Sequence, residues 1–244
     1  MYMKGVILAG GLGTRLYPLS FATNKHLLPV YDQPMVYYPI ATLVKAGITE
    51  ILIVVGGPHA GHFIRVLKNG KDLGVTHLEF VFQEGEGGIA AALSLAEDFA
   101  DGQSITVILG NNTTDADISP AVTKFRYGSV AFLKKVSDPG RYGVPVFDKK
   151  DKSKILRIEE KPKHPKSQYA STGLYIFDNQ CFDFIRHCRP SARGELEIPD
   201  VQNQYIVQGT LRWELLPGFW TDAGKFETLF AASAYWAKKK GVRT

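Results

Sequence analysis

Along the first half of the chain, short solid runs of apolar residues alternate with stretches whose apolar positions recur every three or four residues. Met3–Leu8, Glu50–Val55, Leu78–Phe82 and Ile105–Leu109 read as strands. Met35–Ala46, Phe63–Lys68 and Ile89–Phe99 between them read as helices. Strands built almost wholly from Val, Ile and Leu have no polar face to turn to water. In an alternating strand–helix order they form a mostly parallel sheet with helices on both faces. After about Ser129 the rhythm changes. Ser129–Leu133, Val144–Phe147, Ile155–Ile158 and Tyr169–Phe177 are strand-like with few helices between, which predicts an inserted mixed-sheet region. Ile198–Val207 and Phe226–Ala237 return to helical spacing, with Phe226, Leu229, Phe230, Ala234 and Ala237 on one face. No internal repeat, low-complexity segment or linker interrupts the pattern. One domain over 1–244 is expected, with a core over about 1–128, a second half over about 129–225 and a C-terminal helix over 226–244.

Composition narrows the class. The 45% hydrophobic content supports a full core at 244 residues, and 22% charged residues argues against disorder. No apolar run reaches the ~20 residues of a membrane span, and the opening MYMKGVILAGG lacks the apolar stretch and cleavage site of a signal peptide. The only two cysteines, Cys181 and Cys188, would lie ~10 Å apart on a shared helix, too far for a disulfide. No zinc spacing occurs. A reducing cytoplasm and no membrane partner are the expectation. The surplus of Lys+Arg 29 over Asp+Glu 24 is small, and its densest cluster, Lys238-Lys239-Lys240, suits a solvated helix end, so no nucleic-acid partner is expected.

The chemistry starts at the end of the first strand, in Leu8-Ala9-Gly10-Gly11-Leu12-Gly13-Thr14-Arg15-Leu16. A glycine-rich loop there offers backbone N–H groups to phosphates. A dinucleotide fingerprint would need glycine where Leu16 stands, and a Walker A loop would need GK[ST] where Gly13-Thr14-Arg15 stands. Ten residues after Arg15 comes Lys25, in Asn24-Lys25-His26-Leu27-Leu28-Pro29. A planar arginine fork, a lysine point charge and backbone donors together suit a triphosphate. The plainer alternative is a glycine turn with surface cations.

This pair of motifs resembles the sugar-phosphate nucleotidylyltransferases. So do Tyr31-Asp32-Gln33-Pro34-Met35, Arg141-Tyr142-Gly143-Val144, Glu159-Glu160-Lys161-Pro162, Thr172-Gly173-Leu174-Tyr175, the stretch from Pro190 to Ile198, and Trp220-Thr221-Asp222-Ala223-Gly224, in that family's order. The resemblance implies a Rossmann-like core over 1–128 for the nucleotide and a sugar-phosphate half over 129–225. Within the family the likeness is to members of the short form, without the C-terminal helices that carry a regulatory site in longer ones. It is nearest to members that join dTTP to glucose 1-phosphate, giving dTDP-glucose and pyrophosphate with Mg²⁺. Use of UTP or another sugar, or a non-catalytic nucleotide-sugar-binding role, remain alternatives. A homo-oligomer is implied.

Roles follow residue by residue. Arg15 and Lys25 are the catalytic candidates, on the leaving pyrophosphate and beside the α-phosphate. Leu8, Gly10, Gly11, Gly13, Thr14 and Gly88 would hold the nucleotide, with Gln83 against the pyrimidine edge. Gln83 also closes the third strand, where open α/β sheets place their ligand crevice. Lys161 would clamp the sugar phosphate, and Tyr142, Gly143, Glu160 and Ser171 would meet the hexose, Ser171 at a position usually valine. The family's metal ligands are two aspartates. Asp222 supplies the second, but Asn111 stands at the first. Mg²⁺ favours anionic oxygen, so weak turnover with substrate binding retained is expected.

Overall fold

The apolar runs form the middle of one seven-stranded sheet. The structure, a computed structural model, describes residues 2–242. Its strands are β1 (Met3–Ala9), the hairpin β2 (Pro29–Val30) and β3 (Gln33–Pro34), β4 (Glu50–Gly56), β5 (His77–Gln83), β6 (Ser104–Leu109) and β7 (Asn112–Thr114). In the second half come β8 (Ser129–Lys135), β9 (Gly143–Phe147), β10 (Ile155–Glu160), β11 (Tyr169–Phe177), β12 (Leu211–Leu215) and β13 (Trp220–Asp222). The helices are α1 (Tyr37–Lys45), α2 (Gly61–Leu67), α3 (Ile89–Ser94), α4 (Glu97–Ala100), α5 (Ser119–Lys124), α6 (Gln180–His187), α7 (Ile198–Val207) and α8 (Phe226–Lys239).

The main sheet runs β12-β8-β11-β6-β1-β4-β5. Strands β6, β1, β4 and β5 are mutually parallel, β11 is antiparallel to both its neighbours, and β12 is parallel to β8. The mixed character expected after Ser129 therefore comes from one reversed strand within a shared sheet. The hairpin of β9 and β10 stands apart from it. Alternation along β1 shows how both faces are filled. Ile7 and Ala9 pack with α1, α2 and α5, while Val6 and Leu8 pack with α3, α4, α6 and α7. This double coverage is the mostly parallel α/β architecture expected.

Three expectations are corrected. The helix over Ile89–Phe99 is two short helices, α3 and α4, broken at Leu95–Ala96. The C-terminal helix does not fill 226–244: α8 ends at Lys239, and Arg243 and Thr244, like Met1, lie outside the described residues. The buried stripe of α8 is Leu229, Ala232 and Trp236 against Val30, Met35, Tyr38 and Ala223. Phe226 and Phe230 are exposed, Phe230 at 76%, so the helix is rolled from the face its sequence suggests. The cysteines do belong to one helix and its cap, Cys181 in α6 and Cys188 just after it, and both are free.

Candidate active site

The parallel strands end level with one another. Leu8 pairs with Val54 and with Leu109, and Gly56 pairs with Gln83. The chain leaving β1, β5 and β6 therefore opens on one edge, where a doubly wound sheet forms its ligand crevice. Two cavities lie there, about 310 Å³ and 150 Å³. Arg15, Ile89, Leu109, Asn111 and Lys161 line both, so the two are lobes of one cleft.

The glycine loop is shaped by Lys25. Gly13 sits at φ 76°, where a side chain is strained, and a Cβ there would come within 2.8 Å of Cβ of Lys25. Lys25 opens a one-turn helix, Lys25–Leu27, capped by Asn24. The Asn24 side-chain oxygen accepts from the backbone N–H of His26 at 3.0 Å and from its ring Nδ1 at 2.7 Å. Asn24 Nδ2 donates to the Gly56 carbonyl at 3.4 Å, tying this turn to the end of β4. Burial first, and the Arg15 charge second, push the Lys25 ammonium down to about 8. Burial and the neighbouring Lys25 hold the His26 imidazole well below its ordinary value, so it is neutral at pH 7. A crevice under a glycine loop that gathers the cations Arg15 and Lys25 is poised for an anion.

At the far side of this lobe Gln83 ends β5. Its Oε1 lies against Gly10, only 2.2 Å from where a Cβ on Gly10 would sit. A side chain at position 10 would displace this amide. Leu8, Gly10, Gly11 and Gly88 complete the wall with Arg15 and Lys25. Gly13 and Thr14 do not line either lobe; Gly13 packs against the Lys25 side chain and Thr14 opens a one-turn helix, Thr14–Leu16.

Between the lobes, three side chains converge on Gly224. A Cβ there would be 3.1 Å from Asn111 Nδ2, 3.7 Å from Arg15 Nη2 and 3.7 Å from Asp222 Oδ2. The backbone sets this up, because Ala223 N–H donates to the Asn111 carbonyl at 2.8 Å and β13 pairs with β7. Asp222 Oδ1 accepts from the Tyr142 hydroxyl at 3.0 Å and lies 3.6 Å from Arg141. Burial, then the Asp222 charge, raise the Tyr142 phenol, so it stays a donor. Asn111 Oδ1 accepts from Asn112 Nδ2 at 3.3 Å, and Asn112 Oδ1 in turn accepts from Trp220 Nε1 at 2.5 Å. One carboxylate oxygen and one amide thus face the cleft. Among the described residues no group of three His, Cys, Asp or Glu side chains could cage a metal. This donor set fits a divalent cation only if substrate phosphates supply further ligands, as Mg²⁺ sites commonly allow.

The second lobe holds Tyr142, Gly143, Glu160, Lys161 and Ser171 together. β10 ends at Glu160, and Lys161 turns the chain at φ 40°, its N–H donating to the Tyr142 carbonyl at 3.0 Å. That uncommon backbone state aims both side chains at the cleft. Lys161 Nζ lies 3.3 Å from Glu160. The Ser171 hydroxyl is buried without a hydrogen-bond partner.

Of the residues singled out from sequence, only Gly13 and Thr14 fall outside the cleft wall. Sequence reasoning assigned no role to Arg193, Glu195 or Glu197, though they lie in a stretch that carried the resemblance. Their significance appears only when the chain before α7 folds over the cleft. Arg141 and Asn112 were likewise unassigned.

Residues 4–239 match the nucleotidyl transferase family, and the chain belongs to it. A glucose-1-phosphate thymidylyltransferase of Neisseria gonorrhoeae is 42% identical over 240 residues, covering 96% of this chain and 82% of that protein. One from Actinoplanes sp. is 42% identical over 238 residues, covering 96% of this chain and 78% of that protein. A crystal structure from Bacillus anthracis assigned to the same enzyme, in complex with sucrose, is 44% identical with a TM-score of 0.90 over 99% of this chain and 97% of that one. A UDP-glucose pyrophosphorylase bound to UDP-glucose shares the fold at 22% identity, with a TM-score of 0.86 over 98% of this chain and 100% of that one.

Proposed function

We propose that this chain transfers the thymidylyl group of dTTP to glucose 1-phosphate, giving dTDP-glucose and pyrophosphate. A phosphate oxygen of the sugar phosphate attacks the α-phosphorus of dTTP. The bond from that phosphorus to the bridging oxygen breaks, and pyrophosphate leaves with the electron pair. The reactants are both anions, so the protein's task is alignment and charge. The observation that carries the reading is the shared seam. Arg15, Asn111 and Lys161 line both lobes, between Gln83 at one end and Glu160 at the other.

Each side chain then has work suited to its position. Lys25 neutralises charge at the α-phosphate, and Arg15 stabilises the departing pyrophosphate. Gly10, Gly11 and Gly88 let the nucleotide approach the backbone, with Leu8 beside it, while Gly13 and Thr14 hold the loop. Gln83 matches the donor and acceptor of a pyrimidine edge. Lys161 takes the sugar phosphate. Glu160 accepts from sugar hydroxyls, with Tyr142, Gly143 and Ser171 around the ring. Asp222 would hold Mg²⁺ with substrate phosphates, and Asn111 would add its amide oxygen only by giving up the hydrogen bond from Asn112 Nδ2; the ion would supply positive charge for the reacting phosphate. The fold and the two free cysteines suit a reducing cytoplasm.

The amide at position 111 favours slow turnover, and a binding role is the second reading. Pyrophosphate release measured for four nucleoside triphosphates against a panel of sugar 1-phosphates separates the possibilities. dTTP with glucose 1-phosphate should be the fastest pair. Release from none of them, with dTDP-glucose still bound in calorimetry, would favour the non-catalytic reading.

A further inference from the structure

The segment before α7 crosses the cleft as a strap. Ser191 and Gly194 close a turn, with Gly194 N–H donating to the Ser191 carbonyl at 2.8 Å. Leu196 N–H then donates to the Gly87 carbonyl at 2.8 Å, and the Leu196 carbonyl accepts from Ala90 N–H at 3.1 Å. The strap is thus stitched beside the first lobe, which Glu195 lines, while the Arg193 side chain on its turn reaches Glu160 of the second.

Arg193 is carried by that turn. Its Nη2 lies 2.8 and 2.9 Å from the two oxygens of Glu197, 3.3 Å from Glu195 and 3.4 Å from Glu160. Glu197 is the buried anchor, its side chain 7% exposed, and it also accepts from the Ser191 hydroxyl at 2.8 Å. Three carboxylates therefore share this one guanidinium, and Lys161 is the second cation on Glu160. These partners do different things to Glu160. Burial raises its carboxyl pKa, the nearby Glu197 charge raises it further, and Lys161 and Arg193 pull it down.

The balance changes when substrate arrives. On the reading above, Lys161 turns to the phosphate, and a phosphate dianion competes for its charge. Glu160 would then stand part-buried beside Glu197 with one cation fewer. A protonated Glu160 has turned one acceptor site into a donor and lost the charge that strengthens its bonds from sugar hydroxyls. We infer that Arg193, anchored by Glu197, is a positioning residue that keeps Glu160 ionised and oriented for the sugar once Lys161 is committed to phosphate. The inference rests on the proposed role of Glu160 as a sugar contact. It gives Glu197, which does not line the cleft, a function in sugar selectivity through Arg193.

The affinity of the full chain for dTDP-glucose divided by its affinity for the β-methyl ester of dTDP isolates the sugar. Both ligands are β-diesters with one negative charge on each of two phosphates and no group titrating between about pH 5 and pH 8, so direct phosphate contacts cancel in the ratio. The ratio is measured by calorimetry from about pH 5 to pH 8, spanning a raised carboxyl pKa. Arg193→Gln should lower it about tenfold at the acid end, the scale of one charge-assisted hydrogen bond. The loss should shrink as pH rises and Glu160 ionises unaided. Glu197→Gln should act in the same direction, and Arg193→Lys, which keeps the charge, should restore most of the ratio. Glu160→Gln should lower the ratio and remove its pH dependence. If Glu160→Gln does so while Arg193→Gln weakens both ligands equally, Arg193 does not position Glu160 and the inference falls alone. If Glu160→Gln leaves the ratio unchanged, the sugar role of Glu160 fails and the inference goes with it. An unchanged thermal midpoint in each variant marks it as folded.

Discussion

Lys25 is the residue at which stability and function pull hardest against each other. Its pKa of about 8 in the free protein compares with an ordinary 10.5. Between those values the unfolded chain holds a proton that the folded chain has released. Folding stability from this group therefore rises as pH climbs from 8 to 10.5 and is lost as pH falls through 8. Lys25→Met should stabilise the free protein by on the order of 1–3 kcal/mol near pH 7, while weakening dTTP binding. Urea unfolding and calorimetry read the two effects. In the unchanged protein, dTTP should draw a proton onto Lys25 above pH 8. Titration in two buffers of different ionisation enthalpy would reveal it, and zero uptake would mean that phosphate does not meet this ammonium. Asn111 poses the complementary question. Its amide nitrogen, Arg15 and Asp222 converge on Gly224. Asn111→Asp adds a second carboxylate there, so Mg²⁺ should bind more tightly and turnover at saturating metal should rise at least about tenfold, since metal charge on a phosphoryl oxygen is worth several kcal/mol. Equal turnover in the two proteins would remove the second carboxylate from the mechanism.

At the scale of elements, legibility followed burial. β1, β4 and β6 are covered on both faces, and solid apolar runs mark such strands. β12 was illegible because Leu-Arg-Trp-Glu-Leu lies at the sheet edge and is nowhere fully buried. β7 and β13 are three residues each and mostly polar, with pairing partners more than a hundred positions apart. They nevertheless bring Asn111 to Asp222. The face of α8 was misread because Phe226 and Phe230 carry the strongest apolar signal, yet the smaller Ala232 is what fits against Ala223. Short capped turns matter as much as the long elements. Asn24 satisfies both the backbone and the ring donor of buried His26, so Asn24→Ala strands two donors. It should cost about 2 kcal/mol of stability and loosen the turn that presents Lys25. Thermal unfolding and dTTP affinity should fall together; loss of stability with affinity intact would show that Lys25 is held by the glycine loop alone.

For the whole molecule, the question is whether the two halves, about 1–128 and about 129–225, are separable. Arg15, Lys25, Glu160, Lys161 and Asp222 were readable from motifs, whereas Arg141 and Glu195, which line the same cleft, were not. The union of the two halves was not readable either, because it depends on strand order. β11 lies beside β6, with Leu174 opposite Ile108 and Tyr175 opposite Val107, so the second half completes the sheet of the first. It also completes the core, since Phe177, Phe182 and Tyr205 are buried with Val6 and Leu8 of β1. A fragment ending at residue 128 would expose the hydrogen-bonding edge of β6 and strip one face of the sheet of α6 and α7. Exposed flat edges beside bare apolar surface pair with other chains. The fragment 1–128 should therefore fail to fold and aggregate, and the full chain should unfold in a single calorimetric transition whose midpoint rises with dTDP-glucose. A soluble 1–128 fragment with a cooperative transition and measurable dTTP affinity would contradict this view. It would mean that the glycine loop, Lys25 and Gln83 form a nucleotide site before the sugar half arrives, and that the cleft is assembled from two independent units.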